Sequence, residues 1–142
     1  MKILRHAAAT WDGPVPTGSG TMTLGRGGQT LPFSLHSRTA EGDGTNPEEL
    51  LGAAHAGCFS MALSSLIEEA GHAPVSVRTQ ATVTLEQGAG GFTISSVALT
   101  TRGDVPGLDA DAFAGLAEQA KATCPVSKLF AGAQITLDAA LD

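Results

Sequence analysis

Two pairs of alternating runs joined by glycine-rich turns, one long uncharged run and one amphipathic run predict an α+β fold, with antiparallel sheets wrapped around central helices. The 142 residues are read as a single domain, 1–142, long enough to bury a core of its own. That core is built from small side chains, since eighteen Gly stand against five Phe, one Trp and no Tyr. A core of this kind gains less from side-chain burial per residue, so association with a second chain would help it.

The first pair is "GTMTLG" (20–25), where Met22 and Leu24 alternate with threonines, and "QTLPFSLHSR" (29–38), where Leu31, Phe33 and Leu35 alternate. The "GRGG" between them is a hairpin connection. Pro32 donates no ladder hydrogen bond and so marks an edge strand or a bulge. Next, Asn46 is placed to cap a helix, Pro47 fits its first position, and Glu49 follows three residues after the cap. From Leu50 to Ile67 apolar or small residues fall on every side of the helical wheel, which predicts a helix buried all round. "GHAP" ends it, with Gly71 as C-cap and Pro74 behind.

The second pair runs over 75–87, with Val75, Val77, Thr79, Ala81, Val83 and Leu85 on one face, and over 92–102. In the latter the apolar parity shifts from Phe92 and Ile94 to Val97 and Leu99, predicting a bulge near Ser95 and Ser96. "LDADAFAGLAEQAKATC" then repeats Phe113, Leu116, Ala117, Ala120 and Cys124 at helical spacing until Pro125, and "CPVSKL" opens a further short helix with Cys124 at its cap. "AQITLDAAL" is a closing strand. An all-round apolar helix needs more cover than one small sheet gives. Ala53, Ala54, Gly57 and Ala62 would admit another helix closely, so the expected assembly is an intertwined homodimer.

Composition excludes some functions. A net charge of −6 with eight scattered Lys and Arg provides no basic stripe for nucleic acid. Arg5 and His6 interrupt the apolar start, which argues against a signal peptide and for the cytoplasm. The uncharged run 50–67 would rise only about 27 Å as a helix and contains a histidine, three serines and two glycines, a poor membrane span. Cysteines in a cytoplasmic chain are normally reduced.

Both cysteines sit in apolar helical settings. Cys58 reads either as an inert small hydrophobe or as a reactive thiol. The second role needs a nearby cation, because burial alone raises a thiol's pKa. Arg38, at the end of the second predicted strand, is a candidate, against the alternative of a solvated charge. Cys124 is either a core residue or a thiol in the field of a helix N-terminus. Together the two allow a dithiol–disulfide cycle in which one thiolate attacks and the other resolves the sulfenic acid; a static disulfide, stabilising by about 4 kcal/mol, is the competing use. His55, three residues before Cys58, allows a Cys–His thiol hydrolase or a core histidine bonded to backbone or serine. Neither cysteine has the companions of a zinc site. A non-catalytic stress protein holding a small apolar ligand between its helices is the other open reading.

The segments "HSRTAEGDGTNPEEL", "TNPEELLGAAHAGCFSMAL" and "ATCPVSK" resemble the OsmC/Ohr family of osmotically inducible and organic hydroperoxide resistance proteins, and the OsmC branch more than the Ohr branch. The resemblance implies an OsmC-like domain over the whole chain and an intertwined homodimer. It implies Cys58 as peroxidatic cysteine, Cys124 as resolving cysteine, Arg38 as the cation that stabilises the thiolate and Glu48 as the carboxylate that positions Arg38. It further implies organic hydroperoxides as substrates, no metal or haem cofactor, and an external dithiol reductant such as a lipoyl protein. Glu48 by itself reads as an ordinary first-turn carboxylate. On one continuous helix, Glu48 and Cys58 would lie about 15 Å apart along the axis. We therefore expect a break near Gly52 that folds Glu48 back toward the thiol, the alternative being that Arg38 and Glu48 come from the partner chain.

Overall fold

The N-terminal sheet is built from β1 (Ala7–Asp12), β2 (Ser19–Leu24) and β3 (Thr30–Phe33), antiparallel in that order. The structure, a computed structural model, describes residues 1–142, which divide into two units, Met1–Leu50 and Leu51–Asp142. The expected hairpin is β2–β3, with Met22 opposite Leu31. Pro32 lies on the edge strand, where its missing N–H costs nothing. β1 is an addition that the alanine-rich "AAATWD" did not announce. Gly20 on the central strand is there for space, because a Cβ would stand 2.4 Å from the Thr10 carbonyl oxygen and 2.6 Å from the Phe33 ring.

The second predicted strand is shorter than expected. It stops at Phe33, and a short helix, α1 (Leu35–Thr39), follows. Ser34 and Ser37 form a reciprocal capping box, each side chain accepting from the other's amide at 3.1 and 2.9 Å. Arg38 is therefore a helical residue, not the end of a strand.

α2 (Pro47–Glu69) begins in the first unit and runs into the second without interruption, so the expected break near Gly52 does not occur. Asn46 Oδ1 accepts from the Glu49 amide at 2.8 Å, as its capping signal predicts. Gly52 serves close packing. A Cβ there would come within 3.4 Å of the Ala81 carbonyl oxygen and of Val83 Cγ2, so its bare Cα lets the helix lie against the sheet. The end is also as expected, with Gly71 at φ +87° and the His72 amide donating to the Ile67 carbonyl.

One face of α2 is buried, not all of them. His55, Phe59, Leu63 and Ile67 recur at helical spacing and are fully buried, whereas Ala53, Ala54, Gly57 and Met61 are exposed, Met61 at 77%. Length and composition alone would let α2 cross a membrane, but its buried face belongs to the core of the second unit.

That core rests on a sheet of β4 (Ser76–Gly88), β5 (Gly91–Asp104) and β6 (Gln134–Leu141), in this order. β4 and β5 form the predicted hairpin. Thr84 pairs with Ser96 and Leu85 with Ile94, leaving Ser95 as the extra residue of the predicted bulge. Between β5 and β6 stand α3 (Ala110–Thr123), capped by Asp109, and α4 (Pro125–Leu129), capped by Cys124. This crossover returns β6 parallel to β5, so the second sheet is mixed rather than antiparallel as expected. Phe59, Leu63 and Ile67 pack with Val97, Leu99, Phe113, Ala117, Ala120 and Cys124. Thr101, fully buried, keeps its hydroxyl bonded to Thr79 at 2.9 Å and to the Arg78 carbonyl at 3.2 Å.

Candidate active site

The two cysteines, distant in sequence, meet in the second unit. α2 carries Cys58 against the core, and the α3–α4 corner carries Cys124, where Pro125 stops one helix and starts the next. Their sulfurs are 2.9 Å apart in a thiol–thiol hydrogen bond, and both are free thiols. Cys124 is fully buried, while Cys58 is only partly so.

Two thiols this close cannot ionise independently. Burial raises the Cys58 pKa above that of an ordinary thiol, the Cys124 thiol beside it acts the same way, and the Val126 amide opposes them weakly. Burial also works upward on Cys124. There it is outweighed by the hydrogen bond with Cys58, by the amides of Ser127 and Val126 and by the Ser127 hydroxyl, and the Cys124 pKa is lowered. The two sulfurs share one hydrogen bond, and the α4 amides act on Cys124 in the direction of ionisation. Within residues 51–142, the groups around Cys124 favour its ionisation more than those around Cys58 do. A thiolate at Cys58 calls for a cation beyond those groups.

His55 does not pair with Cys58. Its Nε2 lies 2.7 Å from Ser127 Oγ, its Nδ1 has no partner, and its ring meets Phe130 edge-on at 5.2 Å. The hydrolase alternative loses its base, and the expectation of a core histidine bonded to serine is met. Burial lowers the His55 pKa, so the ring is neutral. Ser127 is the residue that sequence reasoning missed. Its only signal was its place three positions after a cysteine at a helix cap.

In the first unit, Arg38 and Glu48 form a forked ion pair. Nε donates to Oε1 and Oε2 at 3.1 and 3.2 Å, and Nη2 donates to Oε1 at 2.7 Å. Local chemistry sets this geometry. The Ser37 hydroxyl donates to the Thr45 carbonyl at 2.7 Å and Asn46 Nδ2 to the Ser37 carbonyl at 3.0 Å, tying α1 to the start of α2. Glu48 is buried, and the Arg38 side chain is 35% exposed. Beside it lies an apolar cavity of about 190 Å³ lined by Trp11, Val15, Phe33, Leu35, Pro47 and Arg38 itself. The structure thus brings Arg38 together with Glu48, and Cys58 together with Cys124.

Residues 40–139 match the OsmC family, described as OsmC-like protein. The chain is 45% identical over 139 residues to peroxiredoxin OsmC of Escherichia coli strain K12, covering 97% of this chain and 96% of that protein. In structure it resembles an organic hydroperoxide resistance protein from Elizabethkingia anophelis, crystallised with thiocyanate, with a TM-score of 0.79 and 26% identity over the full length of both chains. It also resembles OhrB of Bacillus subtilis, an organic hydroperoxide resistance protein, with a TM-score of 0.72 and 27% identity over 96% of this chain and 98% of that one. Similarity to a peroxiredoxin along nearly the whole length, together with the adjacent thiols, makes the chain an enzyme of the thiol-redox type. It belongs to the OsmC/Ohr family, close to its OsmC branch.

Proposed function

We propose that the protein reduces organic hydroperoxides to alcohols, and hydrogen peroxide less well, through a Cys58 sulfenic acid and a Cys58–Cys124 disulfide that an external dithiol, such as a lipoyl protein, resets. The observation that carries this reading is the unequal burial of two sulfurs only 2.9 Å apart. Cys58 is the one a peroxide can reach. Cys124 is hidden, yet already within a short movement of bonding to it.

The Cys58 thiolate attacks the distal peroxide oxygen, the O–O bond breaks, and the protonated alkoxide leaves as alcohol. Cys124 then attacks the Cys58 sulfur, the S–O bond breaks, and the oxygen leaves as water. The dithiol's first sulfur opens the disulfide, its second displaces the enzyme, and two electrons have passed from dithiol to peroxide.

Arg38 is assigned to stabilising the Cys58 thiolate and Glu48 to positioning Arg38. With α2 unbroken, the remaining route in our reading brings this pair from the partner chain of a homodimer. The exposed small-residue face of α2 supports such an assembly, since Ala53, Ala54 and Gly57 allow close helix approach. The apolar cavity beside Arg38 suits an alkyl tail, which supports the preference for organic hydroperoxides. We read 1–142 as one functional domain, acting in the cytoplasm in oxidative and osmotic stress defence, with no nucleic-acid or membrane partner and no bound cofactor.

Peroxide loss in the presence of dihydrolipoamide tests the assignment. Cys58→Ser should lose all turnover, and Cys124→Ser should consume one equivalent and then carry sulfenic acid at Cys58, seen by mass spectrometry. Cumene hydroperoxide should give a higher kcat/KM than hydrogen peroxide. Equal residual turnover in the two variants would overturn the cysteine roles.

A further inference from the structure

The peroxidase reading leaves one buried polar arrangement unused. His55 and Ser127 are 0% and 5% exposed and share a 2.7 Å hydrogen bond, while His55 Nδ1 is buried without a partner. A neutral imidazole has one N–H and one acceptor nitrogen. An orphaned buried N–H is rarer in folded proteins than an orphaned acceptor, so the proton belongs on Nε2, where Ser127 Oγ receives it. The serine's oxygen is then engaged as acceptor, and its own hydrogen is left to donate elsewhere.

Ser127 stands at the third residue of α4, and Cys124 is that helix's cap. A side chain at this position characteristically reaches back toward the cap residue. We propose that Ser127 is a positioning residue for Cys124 and that His55 acts through it: His55 Nε2–H donates to Ser127 Oγ, and the Ser127 hydroxyl hydrogen is thereby aimed at the Cys124 sulfur. The groups acting on that sulfur are the Cys58 thiol from α2 and, from α4, the Val126 and Ser127 amides and the Ser127 hydroxyl. Of the three α4 donors the hydroxyl alone has a free rotor, and His55 fixes it.

This deepens the two-cysteine reading and rests on it. A hydroxyl donor held at Cys124 stabilises negative charge on that sulfur at two points of the cycle. It favours the thiolate that attacks Cys58 sulfenic acid, and it favours Cys124 as the leaving group when a dithiol thiolate attacks the Cys58 sulfur. The reduced form is stabilised relative to the disulfide, which raises the reduction potential of the pair.

The test uses the full chain and no peroxide. Diamide takes two electrons and two protons from the thiols to make the disulfide, which is then equilibrated at pH 7 with mixtures of reduced and oxidised dithiothreitol. If the wild-type disulfide does not form, the redox-pair reading itself fails, separately from the present proposal. If it forms, Ser127→Ala should shift the equilibrium toward the disulfide about tenfold, or about 30 mV more negative, the scale of one hydrogen bond to a charged group. Ser127→Thr, which keeps the hydroxyl, should stay within about twofold of wild type. His55→Leu should move the potential in the same direction as Ser127→Ala, and the double variant should move it no further than Ser127→Ala alone. A Ser127→Ala potential indistinguishable from wild type, or effects of the two substitutions that add, would overturn the proposal. Should His55→Leu not fold, the comparison of Ser127→Ala with Ser127→Thr decides it alone.

Discussion

Phe113 occupies the space that a side chain at Gly103 would need: a Cβ on Gly103 would stand 2.4 Å from Phe113 Cε2 and 2.6 Å from Cζ. The ring is fully buried between α3 and the sheet and has no room to retreat. Gly103→Ala should destabilise the protein by about 2 kcal/mol through overpacking. Combining it with Phe113→Leu should cost less than the sum of the two single changes, a coupling that urea unfolding measures directly.

Gly57 lies on the exposed face of α2, and a Cβ there meets nothing within 4 Å in the single chain. Helix propensity alone would make Gly57→Leu stabilising by about 0.5–1 kcal/mol. In a homodimer with helices packed at this face, the same change forces them apart. Wild type should sediment as a dimer at micromolar concentration and Gly57→Leu as a monomer. A dimer of unchanged affinity would place the interface elsewhere.

Glu48 is buried against a guanidinium that is itself one-third exposed. Arg38→Met leaves a buried carboxylate without its forked partner and should cost about 2 kcal/mol, less than a fully buried pair because solvent reaches the arginine side. Arg38→Met with Glu48→Gln should recover part of that loss in thermal unfolding. Arg38→Lys keeps the charge but not the fork, so it should restore little. All three should lose peroxidase activity if the pair serves Cys58.

The strand pairs and two features of the helices were readable because each rests on local chemistry: alternation for β2, β4 and β5, the parity change that marks Ser95, the Asn46 cap and the Cys124–Pro125 corner. What was not readable depends on partners distant in sequence. Gly52 looks like a helix breaker until Ala81 and Val83 are placed beside it. The direction of β6 depends on how α3 and α4 return the chain, which no pattern in "AQITLDAAL" encodes. α1 was hidden because Leu31, Phe33 and Leu35 keep strand parity through a segment whose Ser34 and Ser37 cap a helix. At the site, chemistry-bearing residue types were visible, but the amides that act on Cys124 have a direction only the fold fixes.

His55 links pH to stability. Burial lowers its folded pKa, so its contribution is fully present above about pH 6.5, where free imidazole is neutral, and is lost as pH falls toward the lowered value. As pH falls through about 6.5 the unfolded chain takes up this proton more readily than the folded chain, and wild type should lose stability on this account. His55→Gln should flatten that part of the urea-unfolding profile. An unchanged slope would mean that the folded ring titrates as freely as the unfolded one.

The parallel seam between β5 and β6 sets an order of events for the growing chain. A parallel neighbour can be added only after the intervening helices have been synthesised and turned back, a non-local closure that is slow compared with making a hairpin. The β4–β5 hairpin can form early, with one flank of its longer strand unsatisfied. Cys58 emerges before the corner that will cover it exists. Until α3, α4 and β6 dock, its thiol is a solitary sulfur on an apolar segment, open to wrong disulfides and to aggregation through the uncovered strand edge. Completion of the sheet therefore seals the fold and gives the thiol its partner in the same late step.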